Sequence, residues 1–198
     1  MAGDWLGEQR TEVAADRILD AAERLFTERD ATSVGMNEIA KAAGCSRATL
    51  YRYFDSREAL RTAYVHRETH RLGPAILQRI ERIEDPRERL VSGITATLRM
   101  VRENPALAAW FGSGRLPIGG EMAGQSEVII ALMSGFLSSL SPADSAAIER
   151  RARWLVRAII SMLMFPGHDE ADERAMIEEF VAPVVVPSSP KSTHFVPK

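Results

Sequence analysis

The sequence predicts an all-α protein built as a small N-terminal helix-turn-helix domain on a larger helical domain. Three observations carry this. Apolar residues recur at helical spacing almost throughout, as in Ile18, Ala22, Leu25 and Phe26. Alternation of apolar and polar residues never persists, and Val184-Val185-Val186 is too short and isolated to seed a sheet. Residues that start and stop helices stand at regular intervals: Ser46, Ser56 and Asp85-Pro86 as starts, Gly44 as a stop.

Each element follows from these signals. The first helix turns Asp16, Asp20, Glu23 and Arg24 outward and ends near Asp30-Ala31-Thr32. A second, Met36 to Ala43, has Glu38 three residues after Gly35 as half of a capping box, and Gly44 ends it. Ser46 caps a third through Phe54. Asp55 and Ser56 open a fourth, rich in arginine, with Gly73-Pro74 as a kink or break before Ala75 to Ile83. Asp85-Pro86 starts a fifth with the stripe Leu90, Ile94, Leu98, Val101, and Asn104-Pro105 separates it from a short segment with Trp110 and Phe111. Gly112 to Gly120 is a loop. Two long helices, Glu121 to Leu140 and Pro142 to Phe165, precede a last one from Glu170 to Val181. The resulting division is a flexible arm at 1–10, the helix-turn-helix domain at 11–56, a second domain at 57–186 and a tail at 187–198.

Composition narrows the class. With 198 residues, 45% hydrophobic and 26% charged, the chain can bury a full core. Its net charge of -2 gives no global sign of nucleic-acid binding, so such a site must come from local clustering. Cys45 is the single cysteine and reads as a spacer thiol beside the turn, with no second thiol to resolve an oxidised one. No basic segment followed by an apolar run opens the chain, and the longest apolar stretch, Ala158 to Pro166, is too short for a bilayer. The expectation is a soluble cytoplasmic protein without a membrane partner.

Met36 to Arg57 carries the function. Small Ala40 and Ala43 let the next helix cross closely, Ile39 and Leu50 bury between the helices, and Gly44 takes the turn. Ser46 caps the third helix and presents its N–H groups to a phosphate. That helix exposes Arg47, Thr49, Tyr51, Arg52 and Tyr53, the residue types that read base edges and grip a backbone. Between Lys41 and Arg71 seven cations (Lys41, Arg47, Arg52, Arg57, Arg61, Arg67, Arg71) face only Asp55, Glu58 and Glu68, an electrostatic footprint for DNA. Phe54 and part of Tyr53 are expected in the core, whereas Tyr51 shares the exposed face with Arg47 and Arg52.

The residues from Ile18 to Phe26, Glu38 to Gly44, Ser46 to Phe54 and Ser56 to Leu60 together resemble the DNA-binding domain of the TetR family, without a gap from about Ala15 to Tyr64. The resemblance implies a dimer that binds operator DNA, usually as a repressor, with an all-α effector-binding domain. It places Ser46, Arg47, Ala48, Thr49, Tyr51, Arg52, Tyr53 and Arg57 at DNA-contacting positions. Gly35 departs from the family's usual Ser or Thr cap, and Cys45 from its usual small aliphatic residue.

Catalysis and metals find no support. There is no nucleophile elbow, phosphate-cradling loop or apolar carboxylate pair, so no enzyme and no cofactor is expected. His66 and His70 stand at i, i+4, but nothing completes a metal site with them, and His168 and His194 are remote in sequence. In the second domain, Met100, Trp110, Phe111, Met122, Met133, Phe136, Trp154 and Met162 form a large apolar inventory. Met100, Trp110, Phe111, Met133, Phe136 and Trp154 are the expected lining of a cavity for a small apolar or amphipathic effector. The helix from Arg151 to Phe165 is apolar on every side, so one side should face the core and the other a second subunit. Leu155, Ile159 and Met162, with Ile177 and Phe180, are the expected interface, and Asp169, Glu170, Asp172 and Glu173 would complement Arg150, Arg151 and Arg153. The expected function is a homodimeric repressor released from a pseudo-palindromic operator by its effector. An activator or ligand-blind architectural protein is the first alternative, and a helical binding protein or enzyme with a vestigial helix-turn-helix the second.

Overall fold

Residues 5–111, 118–141 and 143–186 are described by the computed structural model, and every regular element among them is helical. Helices α1 (Trp5–Glu28), α2 (Met36–Ala43) and α3 (Arg47–Tyr53) form the N-terminal unit. Then come α4 (Arg57–Ile80), α5 (Pro86–Glu103), α6 (Pro105–Ala108), α7 (Ile118–Gln125), α8 (Glu127–Leu140), α9 (Ser145–Met164), α10 (Glu170–Met176), a π-helical turn (Ile177–Val181) and α11 (Ala182–Val185).

The helix starts are capped as local chemistry requires. The side chains of Ser46, Ser56, Asp85, Asn104, Ser126, Asp144 and Asp169 each accept a hydrogen bond from an N–H three residues on, satisfying a donor with no partner inside the helix. At Gly35 there is no side chain to do this. Instead the Glu38 carboxylate accepts from the Gly35 N–H at 3.0 Å. That bond, and the Arg29 guanidinium at 2.8 Å, hold the Glu38 pKa below the usual carboxylate value. Gly44 ends α2 at φ 70°, where a Cβ would be strained, and its N–H reaches Ala40 and Lys41 carbonyls.

Several boundaries differ from the sequence reading. Helix α1 begins at Trp5, inside the stretch read as a flexible arm, because nothing in Gly7 to Thr11 breaks a helical course. Helix α4 runs through Gly73-Pro74 without a break. Proline removes one N–H, but His70 and Pro74 are exposed, so the carbonyl left over faces solvent. The helix expected from Glu121 to Leu140 is two, because Ser126 turns inward to cap α8 and ends α7. The last helix extends to Val185, with its π turn placed just before Pro183, whose ring would clash with the carbonyl four residues back in a regular helix. Pro142, residues 112–117 of the expected loop and the tail 187–198 lie outside the described residues.

Two apolar cores result. The first joins Ile18, Ala22 and Phe26 of α1, Val34, Ile39 of α2 and Leu50 of α3 to Leu60 and Tyr64 of α4 and to Leu107 and Trp110 at α6. The second is formed by α5, α8, α9 and the C-terminal elements around Leu90, Leu98, Leu155 and Ile177. A domain boundary at 56/57 therefore cuts through the first core. Residues from beyond position 100 complete it, and Phe26, Tyr64 and Trp110 meet there as an aromatic trio with centroids 5.2–5.6 Å apart.

Across the seam runs an ion cluster. Arg67 of α4, its side chain 10% exposed, reaches Asp20 at 2.7 Å and Glu23 at 2.8 Å on α1, and Glu68 at 3.1 Å. At the other end Arg102 of α5 grips both carboxylate oxygens of buried Glu173 at 2.7 Å, and the Gly167 N–H donates to the same group. Those bonds lower the Glu173 pKa and raise that of Arg102.

Candidate nucleic-acid interface and effector cavity

Helix α3 is divided by its own periodicity. Leu50 is fully buried and Phe54 nearly so, which fixes the opposite side outward. On that side Ser46, Arg47, Ala48 and Arg52 are exposed, and Thr49, Tyr51 and Tyr53 are half-buried. The Ser46 hydroxyl accepts from the Thr49 N–H at 3.0 Å and shares a hydrogen bond with the Thr49 hydroxyl at 2.9 Å. The Arg47 guanidinium lies 5.3 Å from the Tyr51 ring centre, and that of Arg52 is equally close to Tyr53. Each aromatic face thus supports a cation and limits its rotamers. Arg57 stands at the start of α4, exposed, and donates to the Thr32 carbonyl at 3.3 Å.

The cationic footprint is smaller than the sequence count. Arg61 is buried and donates to the Ala31 carbonyl at 2.6 Å, where desolvation lowers its pKa. Arg67 and Arg71 belong to the ion cluster with Asp20, Glu23 and Glu68. Lys41, Arg47, Arg52 and Arg57 remain exposed beside α3.

Behind this unit lies a cavity of about 600 Å³ between α4, α5, α8 and α9, within the usual size range for small-molecule sites. Trp110, Phe111, Met133 and Phe136 line it as expected from the sequence. Met100 does not, because the cavity stripe of α5 is Arg89, Gly93, Thr97 and Val101, and Met100 falls beside it. Trp154 does not either; it is 38% exposed on the far side of α9. The sequence reading missed the α4 wall (Leu72, Ile76, Leu77, Ile80) and the α5 stripe. The i, i+4 series 89, 93, 97, 101 is a visible signal of that stripe, less conspicuous than the large aromatics and methionines. The small Gly93 opens the wall. A Cβ there would lie 3.3 Å from Ile80 Cδ1 and 3.5 Å from Phe136 Cζ.

The expected dimer residues need the same correction. Leu155 and Ile177 are fully buried within the chain's own core, and Ile159 and Met162 nearly so, leaving no surface for a second copy. Leu155 and Ile159 line the cavity instead. Phe180 is 60% exposed. The outward apolar side consists of Trp154 on α9 and Phe165 just after it, with Met176, Phe180 and Val184 on the C-terminal elements. Nor does the acidic end of α10 meet Arg150, Arg151 and Arg153: Glu173 pairs with Arg102, Glu170 with Arg99, and Arg153 with Glu149. His66 donates to or accepts from the Ser126 hydroxyl at 3.0 Å, and no group of three His, Cys, Asp or Glu among the described residues is placed to hold a metal ion. No single helix among them is long and apolar enough to cross a membrane.

Comparison with known proteins agrees with this arrangement. Residues 18–64, which span α2, α3 and the adjoining parts of α1 and α4, match the family of bacterial regulatory proteins, tetR family. The chain is 72% identical over 190 residues to the HTH-type transcriptional regulator Rv1255c of Mycobacterium tuberculosis, covering 96% of this chain and 94% of that one. It is 25% identical over 146 residues to the HTH-type transcriptional activator FasR of Mycolicibacterium smegmatis, covering 74% and 67%. Among solved structures it is similar to the TetR family repressor AlkX from a Dietzia strain, implicated in biodegradation of n-alkanes, with a TM-score of 0.65 and 25% identity over 85% of this chain and 93% of that one. The chain belongs to the tetR family of bacterial regulatory proteins, and it is a DNA-binding transcriptional regulator rather than an enzyme.

Proposed function

We propose that the protein is a homodimeric repressor that leaves a pseudo-palindromic operator when an apolar or amphipathic molecule fills the cavity. The observation that carries the reading is Trp110. It lines the cavity and also packs edge-on against Phe26 at 5.2 Å in the core of the helix-turn-helix unit. A ligand that displaces this ring disturbs the seat of α1, and with it the direction of α3. Two α3 helices in a two-fold dimer fit successive major grooves when about 34–36 Å apart. A ligand that prefers another spacing weakens DNA binding by the ratio of its affinities for the two states.

For the dimer, the outward side of α9 and the C-terminal helices is the reading favoured by exposure: Trp154, Phe165, Met176, Phe180 and Val184 form an apolar surface. On α3, Ser46, Arg47, Ala48, Thr49, Tyr51, Arg52 and Tyr53, with Arg57, are the proposed DNA contacts. The sign of regulation is the finer claim, since FasR is an activator and AlkX a repressor. In vitro transcription from a promoter carrying the operator, selected from random duplexes by the protein itself, separates the two. Arg47→Ala and Tyr51→Ala should each abolish retardation of that duplex while the dimer persists in sedimentation. Undiminished DNA binding by both variants would reject α3 as the reading helix, and a rise in transcript on adding protein would reject repression.

A further inference from the structure

The cavity is not uniformly apolar, and its polar groups are unevenly satisfied. The hydroxyls of Thr69, Thr97 and Ser139 each donate to a backbone carbonyl of their own helix, at 2.7–2.8 Å. Glu68 is buried and meets both Arg67 and Arg71 at 3.1 Å. Arg89 differs. It is the cation in the lining, it has no carboxylate partner among the described residues, and its Nε is buried without a hydrogen-bond partner. A buried guanidinium N–H left without an acceptor is costly, and such groups usually mark a place where an ion or ligand belongs. The guanidinium edge that includes Nε donates two parallel hydrogen bonds to a carboxylate.

We propose that Arg89 is the anchor for the effector's head group, and that the effector class is an amphiphile with an anionic carboxylate on a linear apolar body. This rests on the reading of the cavity as the effector site. The geometry sets the orientation. Arg89 stands one turn before Gly93 on α5, the glycine that faces Ile80 and Phe136, whereas Val101, two turns beyond Gly93, packs against the first core with Leu107 and Trp110. Along α5, Arg89 to Val101 spans about 18 Å at 1.5 Å per residue. A hydrocarbon chain advances roughly 1.25 Å per carbon, from a C–C bond of about 1.5 Å at a tetrahedral angle. At that advance about 18 Å corresponds to about fourteen carbons, so a chain of that length held at Arg89 ends against Trp110, the ring shared with the helix-turn-helix core. Shorter chains would fill the anchor end and leave that ring in place.

The test is calorimetric titration of the full-length protein with dodecanoate, dodecanol and dodecylamine, each below its micelle concentration, against wild type, Arg89→Met and Arg89→Lys. Wild type should bind dodecanoate at least about tenfold more tightly than dodecanol, and dodecylamine most weakly. Arg89→Met should lose about tenfold to a hundredfold for dodecanoate, the range expected for a charged hydrogen bond, and keep its affinity for dodecanol. Arg89→Lys should fall between, since it keeps the charge and loses the fork. Equal binding of dodecanoate and dodecanol by wild type, or undiminished dodecanoate binding by Arg89→Met, overturns the anchor while leaving the cavity as an effector site. If Arg89→Met does not fold, as judged by its thermal transition, the wild-type comparison of the three heads decides. Binding of none of the three by wild type overturns both the anchor and the apolar-effector reading.

Discussion

Replacing Arg67 with Met tests whether the two parts of the chain are joined by charge as well as by packing. Its guanidinium donates to Asp20 at 2.7 Å, Glu23 at 2.8 Å and Glu68 at 3.1 Å, and to the Asp16 carbonyl at 3.4 Å. Methionine keeps most of the apolar stem but removes every one of these bonds, together with the guanidinium that lies 5.5 Å from the Tyr64 ring centre. Breaking a buried pair by deleting one partner typically costs about 3–5 kcal/mol, because the other charge is left uncompensated. Here the figure must be lowered. Arg71 remains 3.1 Å from Glu68 and 3.6 Å from Glu23, and Asp20 is half-exposed, where an ion pair contributes about 0–1 kcal/mol. The expected loss is about 2–4 kcal/mol, most of it from Glu68, whose side chain is 5% exposed. Urea unfolding at one fixed protein concentration, followed by tryptophan fluorescence, measures it; fixed concentration matters because dissociation of the proposed dimer would add to the apparent stability. Glu68→Gln removes the stranded charge, so the double variant should be more stable than the two single losses added together by about 1–2 kcal/mol. A change of under about 0.5 kcal/mol in Arg67→Met, or strict additivity with Glu68→Gln, would refute the account of this cluster as a structural joint.

Two further expectations are simpler. Phe180→Glu puts a charge on the proposed dimer face without touching either core, and should convert the dimer to monomer in sedimentation velocity while the helical circular dichroism signal is retained; a persistent dimer would remove that face from consideration. His66 is partly buried, and desolvation, with His70 nearby, lowers its pKa below the ordinary 6.5, so the unfolded chain binds the proton more readily than the folded one. Stability referable to His66 is thus whole above pH 6.5 and declines as pH falls through 6.5 towards the depressed folded value. Melting temperatures of wild type and His66→Gln should diverge across that window, with the variant losing less on acidification, and parallel curves would count against the assignment.

How much of this was legible in the sequence depended on the range of the interaction that decides each feature. The cap at Ser46, the stop at Gly44 and the burial of Leu50 are set by neighbours within one helical turn, and α3 presents the side the sequence gives it. Arg61, Arg67 and Arg71 look identical to Arg47 and Arg52 in a count of charge. Only the return of α1 against α4 separates them, by supplying Asp20, Glu23 and the Ala31 carbonyl from thirty or more positions away in the chain. Helix α9 was readable as buried on two sides, but periodicity alone does not say which stripe meets the chain's own core. Leu155, Ile159 and Met162, expected outward, lie inward; Trp154, expected inward, lies outward. Ser126 carries the signature of a cap before Glu127, masked by the apolar run that follows it.

Trp110 gives the proposed regulation a route that needs no separate relay. Proteins pack at crystal-like density, so a ring that is packed in the first core and lines the cavity cannot be displaced from the cavity side without a response in that core. Its indole N–H and the Tyr64 hydroxyl beside it are both buried without a hydrogen-bond partner. A tightly bonded indole would resist displacement, because any movement would have to break the bond. An unbonded one gives up only apolar contacts and aromatic stacking, of the order of 1 kcal/mol per ring pair. The trio of Phe26, Tyr64 and Trp110 is therefore a joint that is dense enough to transmit a displacement and weakly enough held to allow one. If that is its role, filling the two polar vacancies should stiffen it. A variant that gives the indole N–H an acceptor, Leu107→Gln for example, would keep its operator affinity and lose its response to ligand. A variant equally responsive to ligand would mean that the displacement passes through α4 and its arginines instead.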